Sequence, residues 1–216
     1  MPNYWSAVFL AALAGSAIAP HDYPTWFLDM LPAGSICLAL LATRRRFVLT
    51  PLCYAVLLAL CLLILLGAHY TFARVPPFEW IKPWLGWERN NFDKLAHCFQ
   101  GFAPAILFRE ILIRFEVVAK RPWLYFIVPG LCLALSAAYE LVEWVSALLL
   151  RDRAEDFLAL QGDPWDAQSD MAFALLGAVA AVALLSRLHD WQIARLAAER
   201  ESPIRGLPVS RQPPLL

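Results

Sequence analysis

The sequence predicts an all-α protein, an integral membrane helical bundle of about six transmembrane helices with both termini in the cytoplasm. Three observations carry that expectation. Hydrophobic residues make up 60% of the 216, and the mean hydropathy of +0.55 lies above the ordinary soluble range. Six segments approach the roughly 20 apolar residues that a helix needs to cross a hydrocarbon core about 30 Å thick. The cationic residues are also divided unequally between the two ends of those segments.

The expected spans cover residues 4–20, 24–43, 47–70, 92–114, 122–150 and 164–187. The first is the run "YWSAVFLAALAGSAIAP". It ends in small residues, as a signal peptide does, but has no basic n-region, so it reads as a retained first helix. Only the tight turn from Pro20 to Pro24 separates it from the second. The connection "ARVPPFEWIKPWLGWERNN" after the third is rich in Trp and Pro, which suits an interfacial loop with aromatic anchors. A second long connection runs from Arg151 to Gly162. Residues 1–190 are expected to form one transmembrane domain. Residues 191–216 then form a cytoplasmic tail, partly disordered by the proline content of "SPIRGLPVSRQPPLL".

Orientation follows from the cations. Arg44, Arg45, Arg46, Arg109, Arg114, Lys120, Arg121, Arg187, Arg195, Arg200, Arg205 and Arg211 fall on one side, and Arg74, Lys82, Arg89, Lys94, Arg151 and Arg153 on the other. The positive-inside rule makes the first side cytoplasmic. Net charge is zero, so nothing global favours nucleic acid, and no nucleic-acid partner is expected. The expected surroundings are membrane lipid. The five cysteines lie in apolar runs without CxxC spacing, which makes them packing residues.

Polar residues inside spans locate a candidate site. In "NNFDKLAHCFQGF", Asp93, His97 and Gln100 stand at i, i+4 and i+7, on one face of span four. Glu140 and Glu143 are at i, i+3 in span five, and Asp163, Asp166 and Asp170 at i, i+3 and i+7 in span six. With the orientation above, all three stripes reach the outer leaflet, together with Lys94, His69 and Tyr70. Some of these have structural explanations. Asp163 before Pro164 reads as an N-cap with proline at the first helical position, and Asp166 then complements the helix dipole. Lys94 can snorkel, and Gln100 and Gly101 can pack helices. Asp170 lies too far into the helix for capping, and Glu140 and Glu143 oppose the dipole at a helix C-terminus. Ionisable groups in a membrane mark function by default. Arg109 and Glu110 are expected to pair or snorkel at the inner end of span four, and His189 to be a surface residue. Asp29 has no assigned face.

That many carboxylates cannot stay ionised together without protons or a cation. Oxygen ligands with one imidazole suit Mg2+, Mn2+ or Ca2+, and also Zn2+ or Fe2+. The expected metal ligands are Asp93, His97, Glu140, Asp166 and Asp170, with Glu143, Glu140 and Asp170 as acid and base groups. The corresponding activity is a metal-dependent hydrolase or transferase on an envelope or lipid-linked substrate. Two other readings stand beside it: a proton- or cation-coupled transporter, which requires a polar path continuing inward past Arg109 and Glu110, and a non-catalytic scaffold held by a polar knot.

The segments "HYTFARVPPFEW", "FDKLAHCFQGFAPAILFREIL", "LSAAYELVEW" and "LQGDPWDAQSDMAFALLGA", in this order, resemble the YjdF family of bacterial inner-membrane proteins over roughly residues 40–190. The resemblance implies a multi-helix inner-membrane protein and brings no substrate, cofactor or catalytic residue. A more distant likeness is to VanZ-like membrane proteins, which are associated with glycopeptide resistance. Asp93, Lys94 and His97, then Glu140 and Glu143, then Asp166 and Asp170 before Gly177, are similar to their pattern. Asp170 stands where that pattern has an amide, so the site here is more acidic and resistance is not transferred.

Overall fold

The structure, a computed structural model, describes residues 1–150 and 161–201. The side chains at 149, 150, 200 and 201 are not included. The described residues are helical and contain no strand. In chain order the helices are α1 (Asn3–Ser16), α2 (Tyr23–Asp29), α3 (Leu31–Thr43), α4 (Pro51–Tyr70), α5 (Pro76–Leu85), α6 (Phe92–Arg114), α7 (Leu124–Leu150) and α8 (Asp166–Glu201). A 3-10 turn at Arg121–Trp123 leads into α7.

The boundaries have local causes. Asp22 caps α2 by accepting from the Thr25 amide at 3.0 Å, and Thr50 caps α4 by accepting from the Cys53 amide at 3.3 Å. Thr71 and Gly86 adopt left-handed conformations (φ 58° and 65°) where α4 and α5 stop. Pro32 has no amide to donate, so the helix cannot run unbroken through Met30, and α2 meets α3 at a 40° bend.

α6 is the central element. It packs against α4, α7 and α8, while α1, α2 and α3 pack on α4. The α6–α8 contact is the most extensive, and small residues permit it. A Cβ at Gly101 would overlap the Ala174 carbonyl on α8, and one at Gly177 would overlap the Cys98 carbonyl on α6. The expectation of a packing role for Gly101 is met by this reciprocal approach.

Several expectations change. By length and composition three helices can cross a membrane, those over Pro51–Tyr70, Arg121–Leu148 and Asp166–Glu199, and four if the bent α2–α3 pair is one span. Six are not supported. α1 has 14 residues, about 21 Å at 1.5 Å per residue, which is short of the hydrocarbon core. α6 is long enough at 23 residues, but it buries Asp93, Lys94, Arg109 and Glu110 against its neighbours. An internal helix can carry such groups because its surroundings are protein. The expected N-in, C-in orientation has no support from the geometry, which contains no membrane. The span expected over 164–187 starts at Asp166 and continues to Glu201, so the first ten or so residues of the expected tail are helical. Residues 202–216 of that tail, and 151–160 of the second connection, lie outside the described residues.

The Trp- and Pro-rich connection contains α5, which leaves Trp80 and Trp84 exposed. The cysteines are free, and four of the five are buried.

Candidate functional site

The N-terminal turns of α6 and α8 and the C-terminal half of α7 meet at one end of the bundle. An ion-pair ladder joins the first two. Arg89, just before α6, directs Nη1 to Asp163 at 3.0 Å and Asp166 at 2.6 Å, with Nη2 3.7 Å from Asp93. The Lys94 ammonium lies 2.6 Å from Asp166 and 2.8 Å from Asp170. The Lys94 contacts are charge-assisted pairs between buried groups, where the low dielectric strengthens each pair and makes an unpaired charge expensive. Asp163 caps the turn upstream by accepting from the Trp165 amide at 2.9 Å. That amide, helped by the Arg89 charge, holds its carboxyl below the ordinary value.

Asn90 secures this corner. Its side-chain amide donates to the Val75 carbonyl at 3.1 Å and to Glu79 at 2.8 Å, and its oxygen accepts from the Phe92 amide at 3.1 Å. Its backbone exchanges hydrogen bonds with the Gln161 side chain. The Lys82 ammonium and the Asn90 amide hold the Glu79 carboxyl below its ordinary value.

His97 is one turn further along α6. Its Nε2 is 3.4 Å from Asp93 Oδ1 and 3.9 Å from Asp170 Oδ2, and its Nδ1 is 3.8 Å from Glu140 Oε1 on α7. Asp93, His97 and Asp170 each present one ligand atom, and the three atoms lie within 4.8 Å of one another. An ion among them would find two oxygens and one nitrogen, the donor set of a hard or borderline divalent cation. His97 Nδ1 and Glu140 Oε1 have no hydrogen-bond partner among the described residues.

A cavity of about 260 Å³ opens beside this cluster. Asp93, His97 and Glu143 line it, as does Asp29 from the end of α2.

The description "Predicted membrane protein (DUF2238)" matches residues 1–191. The chain belongs to this DUF2238 family. It is similar to the inner membrane protein YjdF of Escherichia coli (strain K12), with 45% identity over 180 residues, which cover 83% of this chain and 86% of that one. The YjdF-family resemblance read from the motifs is therefore correct, and this DUF2238 protein is a membrane protein with apolar helices able to span a bilayer. No solved structure matches it.

The six acidic and histidine residues singled out in the sequence, Asp93, His97, Glu140, Glu143, Asp166 and Asp170, do meet, but not as equals. Asp166 is turned toward Arg89 and Lys94, Glu140 stands beside His97, and Glu143 faces the cavity. His69 is elsewhere: its Nδ1 is 3.0 Å from the Ser16 carbonyl, which ties α4 to the end of α1.

His189 is a correction. Expected at the surface, it is fully buried, because α8 runs on past its apolar stretch. It lies 3.2 Å from Glu110 and 3.2 Å from Arg109. Arginine can only donate, so His189 Nδ1 accepts and its Nε2–H donates to Glu110. Glu110 also accepts from Thr50 and Arg114, and Arg109 reaches Asp190 at 2.8 Å.

Arg89, Asn90 and Tyr139, whose ring lies edge-on to His97 in the cavity lining, were missed as contributors to the site, and Asp29, a seventh acid without an assigned face in the sequence, lines the cavity. Arg89 precedes Asp93 by four residues, a spacing that signals a pair. Asp29 gave no such signal, because its position depends on how α2 folds back over α4.

Proposed function

We propose that this DUF2238 protein is a divalent-cation-dependent hydrolase or transferase of the bacterial inner membrane, acting at the outer face on an envelope or lipid-linked substrate. One observation carries the reading: the ligand atoms of Asp93, His97 and Asp170 converge within 4.8 Å beside an internal cavity. Charge supports it. Asp93, Glu140, Glu143, Asp163, Asp166 and Asp170 gather at this end, whereas Arg89 and Lys94 are the fixed cations paired with Asp93, Asp163, Asp166 and Asp170. The excess of carboxylates favours a bound cation.

In this reading Asp93, His97 Nε2 and Asp170 hold the ion, and Glu140 orients the imidazole through Nδ1. Bound there, a divalent ion supplies Lewis-acid polarisation of an ester or phosphoryl oxygen and a more acidic water. Glu143, on the cavity wall, takes the proton from the attacking water or alcohol and returns it to the leaving group. Arg89 and Lys94 keep Asp166 and Asp170 in position from behind.

Transport is less well supported. Between this cluster and the Arg109, Glu110 and His189 network, α6 carries Ala103, Pro104, Ala105, Ile106, Leu107 and Phe108, an apolar interval rather than a proton path.

The test is metal analysis of the purified protein beside His97→Ala and Asp170→Asn. Stoichiometric metal in the parent, lost in both folded variants, is expected. A folded parent that retains no metal after incubation with Mg2+, Mn2+ and Zn2+ refutes the reading in favour of a scaffold.

A further inference from the structure

The cavity has a direction. On α6 its lining passes from Asp93 and His97 through Gln100 to Pro104, Leu107 and Phe108. α7 runs the opposite way and contributes Glu143, then Tyr139, then Leu135. Asp29 lies at the head of the α2–α3 wall with Ile36 further down, and Leu60 and Ile64 come from α4. Each wall that carries an acid therefore has it at the same end and aliphatic residues at the other. Measured along α6, Asp93 to Phe108 is about 22 Å at 1.5 Å per residue. Such a slot, polar at one end and aliphatic at the other, takes a segment of one hydrocarbon chain below one polar head, with the rest of the chain left outside the cavity.

The slot also has a side entrance. α3 and α7 form facing walls but share no packed interface among the described residues, each packing instead on α4 or on α6 and α8. Leu135 lines the cavity and is 41% exposed. In a bilayer, a seam between two helices with an aliphatic lip faces lipid tails.

The head end selects charge. The ionisable side chains that line it are Asp29, Asp93, Glu143, His97 and Tyr139, and no Lys or Arg lines the cavity. Arg89 and Lys94 are committed to the acids behind it. Asp29 is 3% exposed, and its Oδ2 has no hydrogen-bond partner among the described residues. Gln100 Oε1, also in the lining, is a second buried acceptor without a donor. Two unmet acceptors, one of them a carboxyl oxygen, call for a donor with several N–H bonds, and an ammonium group carries three N–H bonds and no acceptor.

We propose that the cavity binds a single-chain portion of an amphiphile whose head carries an ammonium group, with Asp29 as the residue that pairs it. This rests on the site proposed above and names its substrate class: an amine-bearing lipid or lipid-linked compound that enters between α3 and α7. Its phosphoryl or ester group then lies toward Asp93, His97 and Asp170, with the chain along Leu107 and Leu135.

The test is native mass spectrometry of the detergent-purified full chain, incubated with palmitoyl lysophosphatidylethanolamine or palmitoyl lysophosphatidylglycerol. These share chain and phosphate and differ in the ammonium. The ethanolamine lipid is expected to be retained about tenfold better, the effect of one charge-assisted hydrogen bond. Asp29→Asn should abolish that preference while still binding both lipids weakly, and Ile36→Trp, which fills the aliphatic end, should bind neither. Equal retention of the two lipids, no retention of either, or an unchanged preference in folded Asp29→Asn would overturn the proposal. Metal content of the same samples separates the two readings. Asp29 is outside the trio of ligands, so Asp29→Asn keeps its metal. A preference for the ethanolamine lipid in a metal-free protein would refute the metal reading alone, and metal without lipid selectivity would refute only this one.

Discussion

Substituting Gly101 by Ala tests how the candidate site is held together without touching any of its residues. The added Cβ would overlap the Ala174 carbonyl of α8, a backbone group that no rotamer change can move aside. An ordinary carbon–oxygen contact is about 3.3 Å, so α6 and α8 must part by roughly 1.5 Å. Overpacking of this kind costs about 1–3 kcal/mol, and a backbone clash belongs at the upper end. The separation also draws Lys94 on α6 away from Asp166 and Asp170 on α8, now at 2.6 and 2.8 Å, which weakens a buried pairing. The expected result is a loss of about 3 kcal/mol, read as earlier thermal unfolding in a mild detergent. Gly177→Ala should do the same by pressing on the Cys98 carbonyl, and the double variant should lose less than the sum because both act on one interface. Gly130 on α7, where a Cβ meets nothing within 4 Å, serves as the control. Parent-like unfolding of Gly101→Ala would refute the close α6–α8 approach, and with it the convergence of the trio.

Lys94→Met leaves Asp166 and Asp170 buried without their shared ammonium and should cost about 3 kcal/mol. Adding Asp170→Asn should recover part of that in unfolding experiments, and additive losses would contradict direct pairing. Glu110→Ala, which removes the acceptor shared by Thr50, Arg114 and His189, should cost a similar amount. Arg195→Ala, from an exposed pair with Glu199, should change stability by less than about 0.5 kcal/mol. The reversed order in the same unfolding assay would refute the inner network. Trp165 is 68% exposed next to Asp166, so with the site at the outer face as proposed, Trp165→Cys in a background with the five native cysteines replaced by Ala should react in whole cells with a membrane-impermeant maleimide. Labelling only after the cells are opened would put the site on the cytoplasmic face.

Much of the site was legible because helical periodicity is local. Asp93 and His97, Glu140 and Glu143, and Asp166 and Asp170 each stand three or four residues apart, and a helix brings such pairs to one face whatever surrounds it. The limits of α6, expected at 92–114 and found at Phe92–Arg114, were readable for the same reason. Counting spans from apolar length was less secure. α6 tolerates charge because protein rather than lipid surrounds it, and α1 is apolar without being long enough to cross.

The sequence by itself determined the helical class, the membrane environment and the residues that would share each helix face, since these follow from composition and from spacing within one helix, and its motif segments carried the family resemblance. Only the tertiary structure decided which faces meet. It paired Asp166 with Arg89 and Lys94, left Asp93, His97 and Asp170 as the converging trio, buried His189 against Glu110, and brought Asp29 across to the cavity. Those outcomes depend on a reciprocal glycine contact between α6 and α8 and on a bend at Pro32, where chain segments far apart in sequence come together.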